Sequence, residues 1–128
     1  MLANAITNHI KTLNIVPTGV ALRTGRIEAT TVRAVMVMFP LGGYNDQLDQ
    51  TGFYSGNQQI IVRSADPEEV YEIAFALQQA LTVLGKSVPI DGYVLSLLKP
   101  RGLPIVYPIN DAALYEGSVN FEVRATLT

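Results

Sequence analysis

The stretch from Gln58 to Gly85 constrains the fold more than any other part of the chain. Gln58 to Ser64 is a short, mostly apolar run of strand type. It leads directly into a helix with strong start signals. Asp66 is placed to cap the helix, and Pro67 suits the first helical position, where a missing N–H leaves nothing unsatisfied. Glu68 and Glu69 put negative charge at the positive end of the helix dipole. Asp66 and Glu69 have capping-box spacing, with Asp in place of Ser or Thr. Val70, Ile73, Ala74, Leu77, Leu81 and Leu84 recur at helical period, so the pattern predicts a helix over Pro67 to Leu84. Gly85 is then placed to take the left-handed conformation that ends it.

Other elements read around this anchor. Leu2, Ile6, Ile10 and Leu13 share one face of a short N-terminal helix over residues 2 to 13, and Pro17 blocks its continuation. Val20 to Thr24 reads as a strand. A second strand, strongest from Val32 to Phe39, is apolar on both faces, as expected near a sheet centre. Pro40 to Asn57 holds Gly42, Gly43, Gly52 and Gly56 among polar residues and predicts a long loop or an extended hairpin tip. Pro89, Asp91 and Gly92 mark a turn before a strand from Tyr93 to Lys99. Pro100, Pro104 and Pro108 punctuate the next segment. Proline donates nothing to a ladder, so residues 100 to 109 form an edge strand or an irregular arm. At the end, Val119, Phe121, Val123, Ala125 and Leu127 alternate with polar residues, the pattern of a half-buried strand. The chain of 128 residues is one domain's length. Two helices cannot cover both faces of such a sheet. The expected fold is therefore α+β, an antiparallel or mixed sheet with two helices packed on one face.

Charge is scarce. Charged residues make up 16% of the chain and hydrophobic ones 48%. A small domain has a large surface relative to its volume and needs more charge than this, unless other subunits cover part of it or uncharged Asn, Gln, Thr and Ser make up the polar surface of a monomer. Interface cores are depleted in charge. The net charge is −2 and basic residues are scattered singly, which disfavours a nucleic-acid binder, because phosphates demand a basic patch. No apolar run reaches the roughly 18 residues that span a bilayer. The N-terminal segment also lacks the charged start and long apolar core of a secretory signal.

The sequence offers little chemistry. The sequence has no cysteine and one histidine, His9, which excludes thiolate nucleophiles and histidine metal clusters. Ser55 sits in Gly52-Phe53-Tyr54-Ser55-Gly56, which is not the Gly-x-Ser-x-Gly elbow. No phosphate-binding glycine loop lies between a strand and a helix. Asp46 and Asp49 share one loop but lack EF-hand spacing, so no metal site is assigned. Arg63 and Arg124 sit on strands, where pairing with Glu122 or another acid across the sheet outranks an anion site. No catalytic residue and no cofactor is expected.

Two segments carry apolar and aromatic residues where polar ones belong. Tyr44, Leu48, Phe53 and Tyr54 lie in the glycine-rich stretch; Leu103, Ile105 and Tyr107 lie in the proline arm. Large apolar residues in exposed segments mark docking surfaces, and these seven are the expected interface residues.

Two further segments carry a family resemblance. Gln59-Ile60-Ile61-Val62-Arg63 runs through Ser64-Ala65-Asp66-Pro67-Glu68-Glu69 into Ala74-Phe75-Ala76-Leu77-Gln78-Gln79-Ala80-Leu81. A later segment reads Tyr115-Glu116-Gly117-Ser118-Val119-Asn120-Phe121-Glu122-Val123-Arg124-Ala125. Together they resemble the tail terminator proteins of long-tailed bacteriophages, some of them known as minor capsid proteins, over residues 58 to 127. The resemblance implies a sheet with helices on one face, assembled as a six-membered ring. Such a ring caps the tail tube protein, ends its polymerisation and offers a docking surface to the head or neck connector protein. DNA would pass through without specific binding. The protein would be assembled in the host cytoplasm and reside at the tail–neck junction of the virion, with no membrane involved. The alternatives are another head–tail neck protein, such as a head-completion or connector protein, and a small oligomeric α+β ligand-binding module or enzyme. A tautomerase-like enzyme would need proline at position 2, where Leu2 stands.

Overall fold

A computed structural model describes residues 1–28, 30–40, 43–47, 50–109 and 113–128; at 45–47, 50 and 51 only the backbone is described. Helix α1 spans Leu2–Leu13 and buries Leu2, Ala3, Ala5, Ile6 and Ile10. Its end is set by Asn14, which takes the left-handed conformation at φ 54° and donates its N–H to Lys11 O. Leu13, expected on the buried face, is exposed, because the chain leaves the sheet at this cap.

Strands β1 (Ala21–Thr24), β2 (Ala34–Val37), β3 (Asn45–Gln47) and β4 (Gln50–Ser64) follow. Next come helix α2 (Pro67–Leu81) and strands β5 (Val88–Ile90), β6 (Tyr93–Pro100), β7 (Ile105–Ile109) and β8 (Leu114–Leu127). The strands form one mixed sheet in the order β1-β2-β4-β8-β6-β5, with β3 also on β4 and β7 also on β8. Among the described residues only β1 and β2 pair in parallel; the other pairs are antiparallel. The framework is the long β4–β8 pair, in register from Phe53 opposite Thr126 to Ser64 opposite Tyr115. Each long strand is flanked by two short ones in succession, β3 then β2 on β4, and β7 then β6 on β8.

Alternation along this pair sorts side chains between two faces. Gln58, Ile60, Val62, Val119, Phe121 and Val123 point inward and join Val35 and Val37 of β2. Against them lie Ile6 and Ile10 of α1 and Val70, Ile73, Leu77 and Leu81 of α2, all in one core. Each such buried aliphatic side chain contributes about 1.5–3 kcal/mol relative to exposure. Both helices therefore sit on one face, and the fold is α+β with a mixed sheet, as expected.

Helix α1 also fixes the curl of the sheet. Thr7 Oγ1 lies 2.6 Å from Thr24 Oγ1 on β1, and Asn8 Nδ2 donates to Asp91 Oδ2, just after β5, at 2.7 Å. Since β1 and β5 are the two ends of the strand order, the sheet wraps so that both reach one helix.

Three expectations need refinement or correction. Of the two readings of Pro40 to Asn57, the extended hairpin holds and the long loop does not: β3 and the first half of β4 pair there. The ladder to β8, which takes in Gly56 opposite Val123, overrides the weak strand propensity of glycine there, because pairing and packing outweigh intrinsic preference in a sheet. Helix α2 ends at Leu81, three residues early, since Val83 leaves to exchange backbone hydrogen bonds with Leu98, both 3.0 Å. Leu84 is consequently exposed, and Gly85 uses its positive φ of 68° in a turn beyond the helix. The expected capping box is half formed. Asp66 accepts from Glu68 N at 3.0 Å, but Glu69 does not reach back to Asp66. The Asp66 N–H goes instead to Ser64 Oγ at 3.1 Å. The proline-punctuated arm, in turn, resolves into edge strand β7, with Pro108 opposite Tyr115.

Candidate functional site

The groups that could do chemistry are dispersed or engaged. His9 is half-buried on α1, in a shallow cleft with Asn8, Thr12, Pro89, Ile90 and Asp91; burial lowers its pKa and favours the neutral ring. Ser55 lies on β4 opposite Arg124, within a strand rather than a strand-to-helix elbow. Among the described residues no group of three or more His, Asp or Glu converges as a metal site would require. Asp49 lies outside the described residues, as does the side chain of Asp46.

The ion pairs are structural. Arg63 Nε and Nη2 donate to Glu116 Oε2 at 3.1 and 2.9 Å, across the β4–β8 ladder where the two residues are in register. Arg63 Nη1 also reaches Glu28 O and Thr31 O, both at 3.3 Å, so it ties the segment between β1 and β2 onto the outer sheet face. Arg124 pairs with Glu122 two residues away on its own strand, at 3.3 Å. The cross-strand acid for Arg63 is thus Glu116, a residue the sequence pattern did not single out.

The seven expected interface residues divide into two groups. Tyr44 is turned inward: its hydroxyl donates to Gln58 Oε1, and burial pushes its pKa up. Gln58 in turn donates to Met38 O at 2.7 Å, so Tyr44 belongs to a buried polar network. Tyr54 packs edge-on against Tyr93, ring centroids 6.2 Å apart. Phe53 points the other way and lines a groove on the outer face of the sheet. Leu48 lies outside the described residues. In the arm, Leu103 is 71% exposed, Ile105 60%, and Tyr107 is also exposed. These three project from the edge strand and the turn before it. Tyr107 hydroxyl lies 3.5 Å from Glu116; burial, then this carboxylate, raises its pKa.

Two surfaces stand out. The outer-face groove has a volume of about 500 Å³ and is lined by Phe53, Ser55, Asn57, Arg101, Glu122 and Arg124. Arg101 and Arg124 both lean on Glu122, at 3.8 and 3.3 Å. The second surface is the exposed side of α2. Tyr71 and Phe75, one turn apart, stack with centroids 6.1 Å apart and are 41% and 39% exposed. Tyr71 also lines an apolar cleft with Pro67, Glu68, Glu72 and Val106. The sequence signal for this pair was present: two aromatics at i and i+4, off the apolar stripe.

The family profile for bacteriophage tail terminator proteins matches residues 9–127. No curated protein matches the sequence. Among solved structures, a chain of the "Virion of native gene transfer agent (GTA) particle" shares the fold. It matches with a TM-score of 0.59 at 12% identity, over 97% of this chain and 96% of that one.

Proposed function

Because the chain belongs to the bacteriophage tail terminator family, we propose that it closes the end of a tail tube as a ring of six copies and presents the opposite face to the head or neck. It is a structural protein of the phage tail. The family match over nearly the whole chain carries the reading, and the surface chemistry supports it. Leu103, Ile105 and Tyr107 are exposed together on one edge, where a monomer in water gains nothing from them and a subunit contact would bury them. The work required is self-association and docking, and no catalytic step is part of it. A net charge of −2 suits a lumen through which DNA slides, because close phosphate contacts would impede passage.

The test is direct. The purified chain, imaged by negative stain with its mass read by light scattering, is expected to form closed rings of six with a central hole. Added to growing tubes of the cognate tube protein, it should arrest their length. Leu103→Glu should keep the melting temperature and lose ring formation and tube arrest together. A compact dimer or trimer without a hole, with tubes growing unchecked, would overturn the proposal.

A further inference from the structure

The two surfaces described above are opposite in charge and lie on opposite layers of the molecule. Helix α2 carries Glu68, Glu69 and Glu72 and no lysine or arginine. Glu69 is occupied by Arg33, at 2.9 and 2.8 Å. Glu68 and Glu72 remain exposed beside the Tyr71–Phe75 stack. On the far side of the sheet, Arg101 and Arg124 share the single carboxylate of Glu122. Lys99, also exposed, sits opposite Glu122 in the β6–β8 ladder. Three cations there face one acid. In a chain with only 16% charged residues, this separation sets up two poles.

We propose that the aromatic and acidic face of α2 in one copy docks into the arginine groove of the next copy, and that this contact is part of the repeating joint of the ring, beside the exposed edge of Leu103, Ile105 and Tyr107. The inference rests on the ring reading above and names its two surfaces. Neither surface complements itself: acid would meet acid, and arginine would meet arginine, with like charges repelling. Each complements the other, so the contact runs head to tail, the arrangement that generates rings when its rotation closes. The side-chain chemistry fits in detail. A guanidinium stacks on aromatic faces and donates to a carboxylate in bidentate fashion, so Arg101 and Arg124 are suited to Tyr71, Phe75, Glu68 and Glu72 together. Phe53 gives the groove an apolar wall for the ring stack. Arginine and aromatics are also the residues enriched in interface cores.

Charge reversal tests the joint. One variant carries Arg101→Glu with Arg124→Glu; a second carries Glu68→Lys with Glu72→Lys. All four positions are exposed, so both chains should melt near the wild-type temperature. Each alone is expected to remain monomeric by light scattering at concentrations where the wild type assembles. Mixed in equal amounts, they should recover the wild-type mass. The acidic groove of the first then accepts the lysine-bearing helix of the second, and the basic groove of the second accepts the acidic helix of the first. If the first variant unfolds, Arg101→Gln with Arg124→Gln removes the charge without crowding Glu122. It should raise the concentration needed for assembly at least tenfold. Assembly of either reversed variant alone at the wild-type mass, or two folded variants that fail to recover on mixing, overturns the joint while the ring reading stands. A wild-type chain that never assembles, even with tail tubes present, overturns both.

Discussion

Arg33, Ser64 and Glu69 show how single residues fasten this structure. Glu69 accepts two hydrogen bonds from Arg33 and one from Ser64 Oγ, at 2.9, 2.8 and 2.8 Å. The Arg33 bonds, then the Ser64 bond, hold the Glu69 carboxyl below the usual carboxylate range. The group therefore binds a proton more weakly folded than unfolded, where its pKa is about 4.3. Its contribution to stability is complete above that unfolded value and is lost as pH falls through the lower folded one. Between about pH 5 and pH 3 the urea midpoint of the wild type should fall more steeply than that of Glu69→Gln. Parallel curves would show that Glu69 is not tuned as the geometry requires. Gln58 makes the same point inside the core, where it is buried but fully engaged by Tyr44, Met38 O and Gln59 O. Among the described residues every buried side-chain nitrogen or oxygen has a partner. Such satisfaction avoids a cost of about 1–3 kcal/mol for each group left unpaired.

At the scale of elements, α2 packs closely on β8. A Cβ added at Gly117 would lie 2.6 Å from Val70 Cγ1, inside the core, so the helix rests directly on backbone there. Gly117→Ala should destabilise the fold by about 1–3 kcal/mol, the range for overpacking a dense core. Urea unfolding measures it, and a variant as stable as the wild type would show that Val70 has room to move. The elements also show what was readable. The start of α2 was legible because capping is local: Asp66, Pro67, Glu68 and Glu69 act within one turn. Its end was misplaced because the Val83–Leu98 backbone pair, a contact with β6, draws the chain away before Gly85. Likewise β8 was legible only from Val119, where alternation begins. Gly117 and Ser118 conceal the strand's first half, which is held by its pairing with β4 and β7.

For the whole molecule, stability should follow the strand order. β4 and β8 are paired on both sides along most of their length, whereas β1 and β5 are the outer strands. Amide exchange should be slowest at residues such as Ile60, Val119 and Phe121 and fastest in β1 and β5, since edges open with fewer broken bonds. Equal protection across the sheet, in dilute solution where copies are apart, would contradict this. Assembly should add protection to α2 and to the strands around the arginine groove. The sparse charge of the chain acquires meaning at this scale. Much of it is neutralised in local pairs such as Arg33–Glu69 and Arg63–Glu116, which leaves Glu68 and Glu72 on α2 and the arginines around Glu122 as the two places where one sign prevails.

The sequence by itself determined the elements whose signals are short in range: the two helices, the alternating C-terminal strand and the α+β class that two helices and one sheet imply. It also carried the family likeness, through the strand-to-helix junction and the C-terminal strand. The tertiary structure alone decided the rest. Whether Tyr44 and Tyr54 face a partner or their own core depends on Gln58 and Tyr93, residues distant in sequence. Whether Arg101 and Arg124 form one surface depends on the β6–β8 register, which places Lys99 and Glu122 opposite each other. Periodicity reports which residues share a face of one element. It does not report which elements meet, because that follows from closing long loops around a common core.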